Sequence, residues 1–158
     1  MEKPSAPPSL VSPSAVKNPA ACWPHWDVTE KVIGCAIEVH RHLSPGFLED
    51  AYEEALCVEL QERRILFQRQ VPIAVRYKGV FVDRHRLDMI AEGKIVVEVK
   101  AVREIEGAHL ATALAYLKAT SLLTGVILNF SEAKLRVRRV VRTAAFTAEE
   151  RTRDGRRG

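Results

Sequence analysis

Apolar residues recur at helical spacing in two early stretches and then switch to strand-like alternation. The first helix starts at Asp27, where Asp27 and Glu30 have the spacing of a capping box, and runs through Ile33, Ala36, Ile37 and His40 until Ser44-Pro45-Gly46 breaks it. A second helix spans about 47–64, with Leu48, Ala51, Tyr52, Ala55, Leu56 and Leu60 on one broad face. Strands follow at about 70–77, 82–91 and 94–101, the first two joined by a Lys78-Gly79 turn. A helix over 107–120 buries Leu110, Ala113, Leu114 and Leu117, and strands at about 123–130 and 134–142 complete the core. This α-α-β-β-β-α-β-β order predicts an α/β domain with a mixed central sheet flanked by helices. The crossover helix makes strands 94–101 and 123–130 parallel if they share that sheet, with a right-handed connection. No internal repeat is visible.

The chemistry concentrates in residues 88–100, where Asp88 precedes a hairpin signal and Glu98-Val99-Lys100 closes an apolar strand. A two-residue Glu92-Gly93 turn puts Asp88 and Glu98 on opposite faces. A three-residue Ala91-Glu92-Gly93 loop, with Gly93 left-handed, pairs Ile90 with Lys94 and Asp88 with Val96. In that register Asp88, Glu98 and Lys100 share a face, and Leu87, Met89, Ile95, Val97 and Val99 fall together on the other. The hydrophobic pattern favours this second loop. Asp88 and Glu98 then offer oxygens to a hard divalent cation such as Mg²⁺, the Val99 carbonyl a third, and Lys100 a hold on a water beside a phosphate. A solvated strand edge with a Glu/Lys pair is the plainer alternative.

On a helical wheel Glu49 falls inside the apolar arc, between Leu56 and Leu60, whereas Asp50, Glu53 and Glu54 lie on the solvated side. A buried carboxylate needs a metal, a cation or backbone amides. With Gly46 as N-cap, Glu49 is instead the third helical residue and caps the helix. Tyr52, one turn on, packs in the core and can offer its hydroxyl to a site carboxylate. His109, Thr112 and Tyr116 form a polar stripe that faces a substrate or is an exposed flank. His40 and His42 do not share a helical face, which argues against zinc.

Composition sets the outer limits. At 158 residues and 47% hydrophobic, the chain suits one domain over 26–145. Residues 1–25, with five prolines before position 20, read as a disordered arm, and 146–158 as a flexible basic tail. No secretory signal and no membrane-length apolar run is present, so a cytoplasmic protein without membrane contact is expected. Cys22, Cys35 and Cys57 lack metal spacing and read as reduced structural thiols. Of the net charge of +4, residues from Lys134 onward hold nine Lys/Arg against three Asp/Glu. Arg136, Arg138, Arg139 and Arg142, with Arg151, Arg153, Arg156 and Arg157 beyond, suit phosphates or serve as a solubilising face.

Gly46-Phe-Leu-Glu49-Asp-Ala-Tyr52 resembles the motif of the GxxExxY proteins, a branch of the PD-(D/E)XK nuclease superfamily. Glu38 to Gly46, Leu87-Asp88, Val97 to Ala101, Tyr116 to Thr120 and Gly125 to Phe130 look like further blocks of that family, together spanning roughly residues 29–142. The resemblance implies a restriction-endonuclease-like α-β-β-β-α-β core, with Glu49, Asp88 and Glu98 as acidic metal ligands and Lys100 as catalytic lysine. Thr112 stands where the pattern carries glutamine, and Ser44 where it carries glycine. The expectation is a Mg²⁺-dependent nuclease, with Mn²⁺ as an alternative ion, cutting nucleic acid and DNA in particular. The rival is a catalytically inactive nuclease-fold module that binds nucleic acid or regulates. Oligomeric state is not legible.

Overall fold

The computed structural model describes residues 23–142. Two helices, α1 (Trp26–Leu43) and α2 (Glu49–Glu62), lead into strands β1 (Phe67–Tyr77), β2 (Val80–Ala91) and β3 (Ile95–Lys100). Helix α3 (Gly107–Thr120) and strands β4 (Thr124–Asn129) and β5 (Arg136–Val141) follow. The expected element order holds. The five strands form one mixed sheet in the order β1-β2-β3-β4-β5, with β3 and β4 parallel across the α3 connection and every other pair antiparallel. The N-terminal arm, the basic tail, Cys22 and the arginines beyond Arg142 lie outside the described residues. Among the described residues, no helix is long and apolar enough to cross a membrane.

Two cores sandwich the sheet. Val32, Ala36, Val39, Tyr52, Leu56 and Leu60 of α1 and α2 bury Met89, Ala91, Ile95, Val97 and Val99 from one side. Ala113, Tyr116 and Leu117 of α3 cover Leu87, Ile90, Val96 and Ile127 from the other. Cys35 and Cys57 are buried and free, as structural thiols. At Gly125 the sheet and α3 come close: an added Cβ would lie 3.3 Å from the Val96 carbonyl and 3.6 Å from Leu117.

Several local expectations are corrected. Helix α1 begins at Trp26 behind a left-handed His25, with no side-chain cap, so the Asp27/Glu30 capping box does not form. Helix α2 begins at Glu49 behind Leu48, which makes Glu49 its first residue and not its third. Along α3 Leu114 is 39% exposed and Tyr116 takes the buried place, because the sheet lies against the Ala113, Tyr116 and Leu117 side.

The β2–β3 hairpin turns through Glu92-Gly93-Lys94, not Ala91-Glu92-Gly93. Ile90 pairs with Val96 and Ala91 with Ile95, two residues from the expected register. This pairing buries Ala91 against Ile95, both fully inaccessible, and Glu92 is fastened to Leu66 by reciprocal bonds of 2.7 and 3.0 Å. A shift of two preserves the face of every side chain, so the acids still share one. Leu87 does not follow Met89: it joins Ile90 in the second core, so the alternation of β2 slips at Asp88. Opposite, Gln70 of β1 has φ 48 and the Gln70–Asp88 step is missing from the ladder.

Tyr52 is fully buried, stacks on Phe130 at 4.6 Å, donates its hydroxyl to the Ser44 carbonyl at 2.7 Å and accepts from the Phe47 N–H at 3.1 Å. Its hydroxyl therefore holds the α1–α2 loop and touches no site carboxylate. Tyr52→Phe keeps the stack but strands both loop groups, and should cost about 1–2 kcal/mol. A fall in the urea midpoint with unchanged slope is the expected result.

Candidate active site

The β2–β3 ladder stops after Met89–Val97, and the next residues outward on the two strands are Asp88 and Glu98. The strands part there, and each carboxylate caps the other strand. The Val99 N–H donates to Asp88 Oδ2 at 2.8 Å, and the Asp88 N–H donates to Glu98 Oε1 at 3.2 Å. Val99 thus enters through its amide, with its side chain in the first core. Glu98 is only 6% exposed, and its carboxyl is pushed up to about 8, first by burial and then by the neighbouring Asp88 charge. Burial also raises Asp88, with Glu53 and Glu49 adding to it, while Lys100 acts in the opposite sense on both acids.

Glu49, at the N-terminus of α2, reaches over the end of β3 to accept from the Ala101 N–H at 3.4 Å. Its carboxylate finds the backbone partner that its place on the helical wheel demanded. Tyr116 is buried on the α3 side, with its phenol raised by burial and then by the charges of Glu98 and Asp88. His109 is spent on the α3 cap, accepting from the Glu106 N–H at 2.9 Å, and Thr112 is exposed. Of that stripe only Tyr116 meets the acids.

Two residues escaped the sequence reading. Glu53, placed there on the solvated side, is 4% exposed and bound to Arg69 at 3.1 Å and Gln70 at 3.0 Å. The signal was present, because Leu56, Cys57 and Leu60 lie three, four and seven positions on. Asn129 is fully buried and grips both backbone groups of Val102, accepting from the N–H at 3.0 Å and donating to the carbonyl at 2.8 Å. It fixes the chain just past Lys100.

The arginines divide by face. Glu98 pairs with Ile127, which pairs with Arg138, and Lys100 with Asn129, which pairs with Arg136. Paired residues point to the same side of a sheet, so Arg136 and Arg138 share the face of the acids. Arg138 is exposed, and Arg136 is exposed with Glu132 at 3.3 Å. Arg139 points the other way, ion-paired with Glu30 and 4.6 Å above the Trp26 ring, so it pins β5 to α1. Arg142 lies past β5, its N–H on the Leu123 carbonyl at 2.8 Å. The four do not form one patch. His40 and His42 likewise part, to the Glu132 carbonyl and to Glu38.

A model of the PD-(D/E)XK nuclease superfamily matches residues 26–140. The chain belongs to the PD-(D/E)XK nuclease superfamily. No curated protein matches it. A solved structure, "Crystal structure of SSO0001", is similar at 19% identity with a TM-score of 0.48, over 66% of this chain and 55% of that one. The chain thus spans about half of that protein's length. PD-(D/E)XK nucleases generally use divalent metals. In this member no group of three or more His, Cys, Asp or Glu stands close enough to hold an ion among the described residues. The two carboxylates of Asp88 and Glu98 are nonetheless the donor type of a hard cation, which commonly takes only one or two carboxylates from protein.

The raised carboxyls make metal-free stability pH-dependent. Between about 4.5 and about 8 the native Glu98 keeps a proton that the unfolded chain has lost, so stability falls as pH rises through that window. Asp88 contributes with the same sign. In EDTA the thermal midpoint should fall across this range, and Glu98→Gln should flatten the profile.

Proposed function

We propose that this chain is a metal-dependent nuclease that hydrolyses phosphodiester bonds, with Mg²⁺ as the ion and DNA as the substrate. The observation that carries this reading is the adjacency of Asp88 and Glu98 at the point where β2 and β3 part, with Lys100 on the same face. Bound there, the ion would polarise the scissile phosphate and lower the pKa of the attacking water.

The protein's own groups do the rest. Asp88 and Glu98 would hold the ion, and their two backbone bonds fix the carboxylates before substrate arrives. Glu49 reaches the same end of β3 from α2 and would supply a third acid toward the ion. The Lys100 ammonium orients the water and offsets charge that builds on the phosphate in the transition state. Tyr116 closes the α3 side of the acids. Arg136 and Arg138, in the same cross-strand rows as Lys100 and Glu98, sit where they can hold the backbone beside the cut.

An inactive nucleic-acid-binding or regulatory module is the second reading. It is favoured by Thr112 and by the carboxylate oxygens already engaged with backbone N–H groups. The two readings part on product formation. Wild-type protein with Mg²⁺ should cut labelled DNA, EDTA should stop it, and Asp88→Ala and Lys100→Ala should each lower the rate by about a hundredfold or more with the fold intact by circular dichroism. Salt-sensitive binding with no product under Mg²⁺ or Mn²⁺ would establish the inactive module instead.

A further inference from the structure

The β1–β2 hairpin is far longer than the sheet needs. Of the twelve residues of β2, only Met89, Ile90 and Ala91 pair with β3, while β1 stays paired with β2 out to Tyr77–Val80. Beyond Ile73 and Leu87, which α3 covers, the two strands run on as a ribbon. Its tip lies roughly 25–30 Å from Asp88.

Two features set its surface apart. Tyr77 is 64% exposed, Val80 64%, Phe81 49% and Val82 54%, an apolar tip on which the pairing sends Tyr77 and Val80 to one face and Phe81 to the other. Interleaved with it are Arg76, Lys78, Arg84 and Arg86 against the one acid Asp83, a formal +3 in a chain whose total is +4. Among the described residues none of these four cations is paired with a carboxylate. Lys78 lies 5.4 Å from the centre of the Tyr77 ring and Arg84 5.9 Å from that of Phe81. Val82 is the extra residue of a bulge, since Val75 pairs with Asp83 and Arg76 with Phe81. Bulges twist a ribbon and re-aim its side chains.

We propose that this ribbon binds an unpaired nucleic-acid strand flanking the cleavage site, with Phe81 stacking on a base beside Arg84 and Arg86, which share its face and follow the phosphates, and Tyr77 offering a second ring where the strand rounds the tip. The proposal rests on the nuclease reading and extends it to a substrate with a single-stranded flank. Exposed rings beside unpaired cations are the chemistry of single-strand platforms, in which every base has a face to stack and the backbone supplies the charge. A duplex would meet the cations but hide its bases from the rings. A second copy of the chain fits poorly, because two ribbons of like charge repel.

The test uses the full chain in EDTA, so that binding is read without cleavage. Fluorescence anisotropy follows one labelled DNA sequence as a single strand and as a blunt duplex, for wild type, Tyr77→Ala/Phe81→Ala and Arg84→Gln/Arg86→Gln, each checked by sedimentation. The aromatic variant should bind the single strand about tenfold or more weakly and the duplex nearly as wild type does. The arginine variant should weaken both and flatten the salt dependence. Wild-type affinity of the aromatic variant for the single strand, equal losses on both forms, absence of binding by wild type, or a change of oligomeric state in place of affinity would each overturn the proposal. Its failure is separable from that of the nuclease reading. Protein that cuts under Mg²⁺ while the aromatic variant binds normally loses only the ribbon, and protein that binds through the rings but never cuts loses only the nuclease.

Discussion

Two carboxylates lie side by side where β2 and β3 stop pairing, and the surroundings hold them there against their own repulsion. Burial and like charge both oppose ionisation of Glu98 and Asp88. What favours the arrangement is local: the Val99 and Asp88 N–H groups, released by the end of the ladder, are met by these acids. Left unpaired in the sheet, such amides would each cost about 1–3 kcal/mol. One pair of bonds thus solves a backbone problem and builds the acidic centre. The opening in turn needs β1 to yield opposite Asp88, which it does at left-handed Gln70, held from α2 by Glu53.

The other groups arrive through a second chain of contacts at the far end of β3. The Phe130 N–H donates to the Lys100 carbonyl at 2.9 Å, and the Phe130 ring lies against Tyr52. Tyr52 holds the Ser44–Phe47 loop, and that loop sets where α2 begins. Glu49, the first residue of α2, therefore takes its position from β4 and the loop as much as from its own helix. Asn129 completes the frame by gripping Val102. A helix that started two residues earlier, as its sequence suggests, would carry Glu49 round the axis by about 200°.

Element order, sheet type and the face shared by Asp88, Glu98 and Lys100 were legible because each rests on periodicity, and a slip of two residues leaves the face unchanged. The turn was misplaced because Glu92 is held by Leu66, a contact across the sheet that no local pattern carries. Leu87 was assigned to the wrong core because a left-handed non-glycine residue in a strand, Gln70, has no marker in sequence. Glu53 was overlooked for a different reason: a charged side chain was read as solvated although its helical neighbours were apolar. Arg139 beside Arg138 looked like one basic run, but strand alternation sends the two to opposite faces. One is fastened to Glu30 and Trp26, and the other stays open.

That alternation bears on how a polyanion could approach a centre made of acids. Asp88, Glu98, Glu49 and Glu53 repel phosphate, offset locally by Lys100 and, at Glu53, by the bound Arg69. Cations must therefore act from either side, within about a Debye length of roughly 8 Å to 10 Å if they are to count at physiological salt. On one side Arg138 stands two strands from Glu98, about 10 Å away across the sheet. On the other, Arg86 stands two residues before Asp88, at the root of the ribbon. On the nuclease reading the acids interrupt a run of cations from Arg138, on their own face, to Arg86, which alternates with Leu87 and turns to the other face. A bound divalent ion would turn that interruption into its most positive point, so metal and substrate should each strengthen the binding of the other.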